Sequence, residues 1–448
     1  MPDKIREIRT YYEQAVEAAR AQGVTEIEAI VTVGDHALTR FANNTIHQNV
    51  TEREAQLSVR PVIDGRTARA STNRLDREGV QRVVDEAIAM TRLTEADPDL
   101  LPLAEKGEYE YPNRCFPTTA TATPEERARA VAEAIRVVEG AGQTAAGIYS
   151  TGISVLAVMN SRGVTVSHTE TMARFSITAM AADSSGWAKA SACSHGSIDA
   201  VQLAQTAARK AGASTAPREL APGRYTVILE PAAVLDLAGQ MFGDFSATAV
   251  RDGRSFLNDR IGKKLFGDNI TIHDDALDPQ QSGAPFDGEG VPRRRLTLVE
   301  RGVIREVAYC RQAAAKAGVE ATGHGFPLPN EIGEAPMNVV IAGGNSTVDQ
   351  MVASTERGIL VTRLWYIREV DPYEKIFTGM TRDGTFLIEG GKIAGGVRNF
   401  RFNQSLIEML SNVEALSVPV RASGEEAFDM VVPAMKVRDF HFTETTRF

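Results

Sequence analysis

The chain has 448 residues, 43% hydrophobic and 24% charged, with 37 Gly and 19 Pro. That composition gives a soluble globular protein room for about three domains, and excludes disorder, collagen and a small disulfide-stapled scaffold. Forty-nine Lys+Arg against 58 Asp+Glu leave a formal charge of −9, which opposes a non-specific hold on nucleic acid. Cys115, Cys193 and Cys310 lie far apart with no CxxC, so neither a disulfide framework nor a cysteine zinc knuckle is written, and a reducing cytoplasm is the expected compartment. The first residues are charged and amphipathic rather than signal-like. No apolar run nears the ~18 residues needed to span a bilayer, so no membrane partner is expected.

In chain order, Ile8, Tyr12, Ala15, Val16 and Ala19 recur at helical spacing until Gly23. Ile27 to Val33 and Gln56 to Val62 read as strands, and Asp64-Gly65 turns into Thr67 to Ser71 as a hairpin. Asp76 is placed to cap a helix whose Val80, Val83, Val84, Ala87 and Ile88 share one face. Residues 1–93 therefore read as an α+β domain. Residues 94–123, acidic and punctuated by Pro98, Pro102, Pro112 and Pro117, read as a linker or an edge-covering loop.

Thr123-Pro124-Glu125-Glu126 is a capping box with proline at the first helical position, and opens a central α+β domain over 124–212. Strands are expected at Ile153 to Met159, Val164 to His168 and Phe175 to Ala181, then a helix from Asp199 to Ala211. After a Pro/Gly/Ser-marked break, residues 224–448 read as a β-rich C-terminal domain: Tyr225 to Leu229, a short helix Ala232 to Met241, then β-prone runs such as Leu296 to Glu300, Met337 to Ile341, Gly358 to Ile367 and Thr385 to Glu389. The fold class is α+β, with helices and antiparallel strands first and a large β-rich part after.

Local signatures of chemistry are sparse. No two of the seven histidines sit four apart, and no GxSxG, SxxK, GxxxxGK[ST] or GxGxxG occurs. His273-Asp274-Asp275 with Asp278 offers oxygen ligands but lacks a calcium loop's spacing, and reads as a solvated turn after a strand at Asn269 to Ile272. Cys310 with His324 is a remote pair of nucleophile and base. Arg251 to Ser255 and Phe286 to Gly290 are richer in charge than a scaffold requires. Arg254, Asp287, Glu289 and His324 are accordingly the candidate substrate-binding residues, with Arg254 and Asp287 or Glu289 fixing loops or holding a peptide's ends; an interdomain salt-bridge network is the structural alternative.

Phe41-Ala42-Asn43-Asn44-Thr45-Ile46-His47-Gln48, Val62-Ile63-Asp64-Gly65-Arg66, Pro285 to Pro292, Leu298 to Val303 with Ala321-Thr322-Gly323, and Phe386 to Ile393 occur in one order along the chain. Together they resemble the TldD/PmbA family, also called the modulator-of-gyrase family. The resemblance implies peptide cleavage by a TldD/TldE heterodimer. Its TldD half carries a zinc-binding HExxxH helix and a later cysteine ligand; the PmbA or TldE half lacks them and completes an enclosed chamber. Here the stretch Glu230 to Phe242, where the metal helix is expected, holds no histidine, and Ser411 to Glu426, where the cysteine is expected, holds no cysteine. The chain thus resembles the PmbA half. The resemblance implies no metal and no catalytic residue in this chain, zinc in a TldD-like partner, and unfolded peptide as substrate. The alternatives are a stand-alone homodimeric scaffold, or a hydrolase built on Cys310/His324 or the His273 acidic cluster.

Overall fold

The computed structural model describes residues 2–446. Its helices begin where side chains satisfy otherwise orphaned amides. Asp76 accepts from the Gly79 amide to start Arg77–Leu93, Thr123 and Glu126 close a reciprocal box to start Pro124–Gly140, and Asp199 accepts from the Gln202 amide to start Ala200–Ala213.

The strands preceding residue 193 form one continuous seven-stranded sheet. Glu26–Ala42 pairs antiparallel with Thr45–Ile63 on one side and Thr144–Asn160 on the other; Thr165–Met180 and Ser185–Ala192 follow, and Arg66–Thr67 and Ala70–Thr72 flank Thr45–Ile63. These strands run longer than expected from apolar content. The two strands expected at Val164 to His168 and Phe175 to Ala181 are replaced by a single strand, Thr165–Met180, whose intervening polar residues alternate faces. One face is apolar and covered by helices: Ala29, Val31, Leu57, Val59 and Val155 pack under Val80, Val83, Val84 and Ile88, while Phe41, Tyr149, Phe175 and Ile177 pack under Val131, Val138, Ala204 and Ala207. The other face looks toward the C-terminal part.

There, Arg357–Asp371, Gly223–Leu229, Met435–Thr445, Phe400–Ser405 and Ile376–Glu389 pair in turn, and the last pairs back to the first. This closed ring removes the edges an open sheet would expose. A six-stranded sheet lies beside it, ordered Val303–Ile304, Leu296–Glu300, Ile272–Asp274, Val339–Ile341, Met430–Val432, Val420–Ala422. Phe242, Phe245, Phe256, Leu298, Ile341, Phe402 and Phe440 share the core between them. The architecture is therefore mixed α+β with β-rich C-terminal sheets.

Residues 94–116 form no helix or strand, yet they are anchored. Leu103 and Ala104 are buried, and the Arg114 guanidinium donates to the Ala276, Asp278 and Gly283 carbonyls. Among the described residues no helix is long and apolar enough to cross a membrane.

Candidate functional site

The stretch Glu230 to Phe242 folds as the helix Pro231–Ala238 followed by a 3-10 turn, Gly239–Asp244. Ala233 to Ala238, Met241 and Phe242 are buried, and Asp236, at 0% exposure, is the one polar residue among them. Its Oδ1 accepts from the amides of Glu425 (2.9 Å) and Glu426 (3.0 Å), so one carboxylate oxygen ties this helix to the segment 423–429. Gln240 reinforces the tie by donating to the carbonyls of Asp236 and Glu426. Oδ2 is buried with no hydrogen-bond partner among the described residues. Burial therefore pushes the Asp236 carboxyl up to about 6 against the pull of the two amides.

Glycine is required opposite this carboxylate, because a Cβ on Gly424 would stand 2.1 Å from Asp236 Oδ1. Gly424→Ala is expected to push the strap off the helix and to cost about 1–3 kcal/mol of stability, as overpacking does. In combination with Asp236→Ala the loss should be well below additive, since both break one contact; urea unfolding of the two single variants and the double variant measures the coupling.

The strap is pinned from three further sides. Glu426 accepts from the Tyr366 amide, Lys189 donates to the Gly424 carbonyl and Glu425, and Asp429 accepts from Ser191 and Arg421. Lys189, Ser191 and Arg174, which reaches Asp429 at 3.4 Å, all come from the helix-free face of the large sheet. Between these contacts and those near Glu28, that face is uncovered: Thr32 and His36 are exposed, and Gly152, Ser154 and Met172 are half-buried. The His36 ring lies flat here, because Gly34 and Gly152 carry no Cβ; one on either would fall within 2.6 Å of a ring nitrogen. An open, polar sheet surface thus confronts the Asp236 clasp.

Of the residues singled out from sequence, the structure draws three into one neighbourhood. Asp287 Oδ2 accepts from the Gly325 amide, while Oδ1 accepts from the amides of Glu289 and Val291. Glu289 is paired with Arg311 at 3.0 Å, and a Cβ on Gly325 would touch Asp287, Cys310 and Glu289 together. Burial, with the Glu289 charge beside it, pushes Asp287 up to about 7; burial also raises Glu289. His324 adjoins Gly325, but its ring nitrogens are held at 2.9 Å by Thr322 Oγ1 and Asp274.

Arg254 stands apart: its side chain is 57% exposed and pairs with Asp252. Cys310 caps the helix Arg311–Ala317, and burial plus a hydrogen bond to Glu334 pushes its thiol up to about 12. With the thiol so held and both His324 nitrogens engaged elsewhere, that pair has no activated nucleophile.

The His273 cluster differs from its expected solvated turn, since Ile272–Asp274 is a strand and Asp274 is fully buried between His324 and the Asn338 amide. Among the described residues no group of three His, Cys, Asp or Glu is arranged to hold a metal. Zinc does not fit around Asp236 either: one oxygen is committed to two amides, and no imidazole or thiol flanks it on its helix.

Sequence reasoning missed Asp236, although a lone acid inside Ala232 to Ala238 is a readable signal. It also missed the buried pair Glu28–Arg60, which a β-type run conceals.

Sequence profiles of PmbA/TldA metallopeptidase domains match this chain in three consecutive blocks: domain 1 over 27–91, the central domain over 116–215 and the C-terminal domain over 222–444. The chain is 24% identical over 427 residues to the metalloprotease PmbA of Escherichia coli O157:H7, covering 92% of this chain and 91% of that protein. Its fold superposes on TldE from Thermococcus kodakarensis with a TM-score of 0.86 at 20% identity, over 97% of this chain and all of that one. A Thermotoga maritima structure named for modulation of a DNA gyrase gives a TM-score of 0.87, also at 20% identity, with the same coverage. A profile match in every block and a full-length relative together place the chain in the PmbA/TldD metallopeptidase family.

Proposed function

We propose that this chain is the non-catalytic, PmbA/TldE-like half of a two-subunit peptidase, pairing with a TldD-like subunit that carries the zinc and walling a chamber for unfolded or small peptides. The observation that carries the reading is the Asp236 clasp. Where catalytic members of the family hold a metal between a helix and a later segment, this chain joins the corresponding stretches by carboxylate-to-amide hydrogen bonds. The open sheet face opposite, with His36, Glu170, Met172 and Arg174, is the surface it contributes to the chamber. Metal-ligand residues are replaced on both stretches, so restoring one side chain rebuilds no first coordination shell.

The test is reconstitution. The chain alone should leave unstructured peptides intact, and mixing it with a TldD-like subunit from the same genome should give a stable complex and chelator-sensitive cleavage. Chelator-sensitive cleavage by the isolated chain would overturn the proposal. A homodimer indifferent to that subunit would favour the scaffold reading instead.

A further inference from the structure

The second long strand, Thr45–Ile63, is a sheet edge over most of its length. Glu26–Ala42 pairs along one side of it, but on the other side Ala70–Thr72 covers only Leu57 to Val59, and Arg66–Thr67 only Val62 and Ile63. From Ile46 to Gln56 no strand or bridge meets that side among the described residues, which leaves about 35 Å of open ladder at roughly 3.3 Å per residue. Edges are commonly kept short or broken by proline, yet no proline lies between Thr45 and Val59. Pro61 fixes which backbone groups point outward: it has no amide to give, and its carbonyl accepts from Thr67 Oγ1 on the outer side. Backbone groups alternate sides along a strand, and the pairing with Glu26–Ala42 runs without a register shift from Glu26/Val62 to Arg40/Gln48. The amides and carbonyls of Asn49, Thr51, Arg53 and Ala55 therefore face outward too.

The flanking side chains say what suits this edge. Glu54 lies across from Gly34 and Glu52 across from His36, so both carboxylates stand on the helix-free face, beside the open surface described above. Both are exposed, and neither joins a side-chain hydrogen bond or ion pair among the described residues. Arg53, on the opposite face, is already spent on Asp35 at 2.7 Å. Two uncompensated acids two positions apart oppose alternate residues of an added strand, where opposite charges attract and like charges repel. Apart from Ile46, Val50 and Ala55 the segment is polar, which fits a transient, backbone-mediated hold rather than the apolar centre of a permanent subunit interface. We propose that the outer edge from Asn49 to Ala55 takes up an extended peptide as an additional strand, with Lys or Arg at alternate positions facing Glu52 and Glu54. The inference rests on the peptidase reading for what becomes of the peptide, and deepens it by naming a basic, β-forming chain as the preferred substrate.

The probe is a fluorescein-labelled decapeptide of alternating Lys and Thr, titrated into the full chain at low salt and read by anisotropy. It should bind saturably, and a Glu-Thr decapeptide should bind about tenfold more weakly. Glu52→Gln combined with Glu54→Gln, both at exposed positions, should weaken the Lys-Thr peptide about two- to thirtyfold, as loss of two cross-strand charge pairs would. Thr51→Pro deletes an outward amide and leaves the ladder to Glu26–Ala42 intact, so it should cost about tenfold in binding with urea unfolding unchanged. Without any variant, hydrogen exchange of the Thr51, Arg53 and Ala55 amides should slow when the peptide is present. Equal affinity for the two peptides, or no added protection of those amides, would overturn the proposal. So would a wild-type chain that sediments as a dimer and a Thr51→Pro chain that sediments as a monomer, since a second copy would then own the edge. Binding of the Lys-Thr peptide with no cleavage by the complex with a TldD-like subunit would leave this site standing and sink the peptidase reading; cleavage of that peptide with kcat and KM unmoved by Thr51→Pro would do the reverse.

Discussion

Glu28→Ala is expected to cost the fold about 3–5 kcal/mol, the scale found when one partner of a buried ion pair is removed. Glu28 is fully buried and accepts from Arg60 Nε and Nη2 at 3.0 and 2.9 Å and from Arg69 Nη2 at 2.6 Å. Burial alone would raise its carboxyl, but the two guanidiniums outweigh burial and hold it below the usual range. Without it, Arg60, at 1% exposure, has no counter-charge in contact, and its neighbour Arg69 repels it.

Arg69 also donates to the Leu328 carbonyl, so the loss would spread to the junction with the C-terminal part. Arg69→Ala should cost much less, because Arg60 keeps its bidentate contact. Urea unfolding of both variants decides the matter; a Glu28→Ala loss below about 1 kcal/mol would show that the cluster contributes little.

The second large effect is on pH dependence, which should run against the common trend. Asp287 and Asp236 titrate at about 7 and about 6 in the folded chain, against roughly 3.9 when unfolded. Their folded-state values are raised, so between about pH 4 and pH 7 the folded chain binds more protons than the unfolded one. Stability from these two groups must then fall as pH rises through that window.

Glu28, Asp274 and Asp429 behave oppositely. Burial acts to raise each of them, but Arg60 and Arg69, His324, and Arg421 and Arg174 respectively outweigh it and lower them. Their stabilisation is lost only as pH falls below about 4. A maximum near pH 5, with a decline toward pH 7.5, is the expected profile in urea melts. Asp236→Asn should flatten part of that decline, since an amide oxygen can still accept from Glu425 and Glu426. A profile that is flat or rising from pH 5 to 7.5 would contradict the assignment.

Local chemistry made part of this protein readable in advance. Asp76, Thr123 with Glu126, and Asp199 specify helix starts through contacts within three residues, and each stands where the sequence placed it. The Asp64-Gly65 turn is local in the same way, with both residues at positive φ. What escaped depends on distance along the chain. Asp274 looks solvated among His273 and Asp275; it is buried only because His324, fifty residues later, and the Asn338 amide meet it. Glu28 and Arg60 pass for ordinary strand residues until the first two long strands pair and set them side by side. Arg254 and Asp287 share charge-rich motifs, yet Arg254 is satisfied by Asp252 two positions away and Glu289 by Arg311.

The run of register pairs from Glu28/Asn160 to Phe41/Gly147 carries a lesson about modularity. Profile boundaries split this region into two inherited blocks, but the backbone sews those blocks into one object before either has a complete hydrophobic layer. Recombination at residues 94–116 would therefore sever a shared ladder and leave two raw borders with a strong appetite for foreign strands.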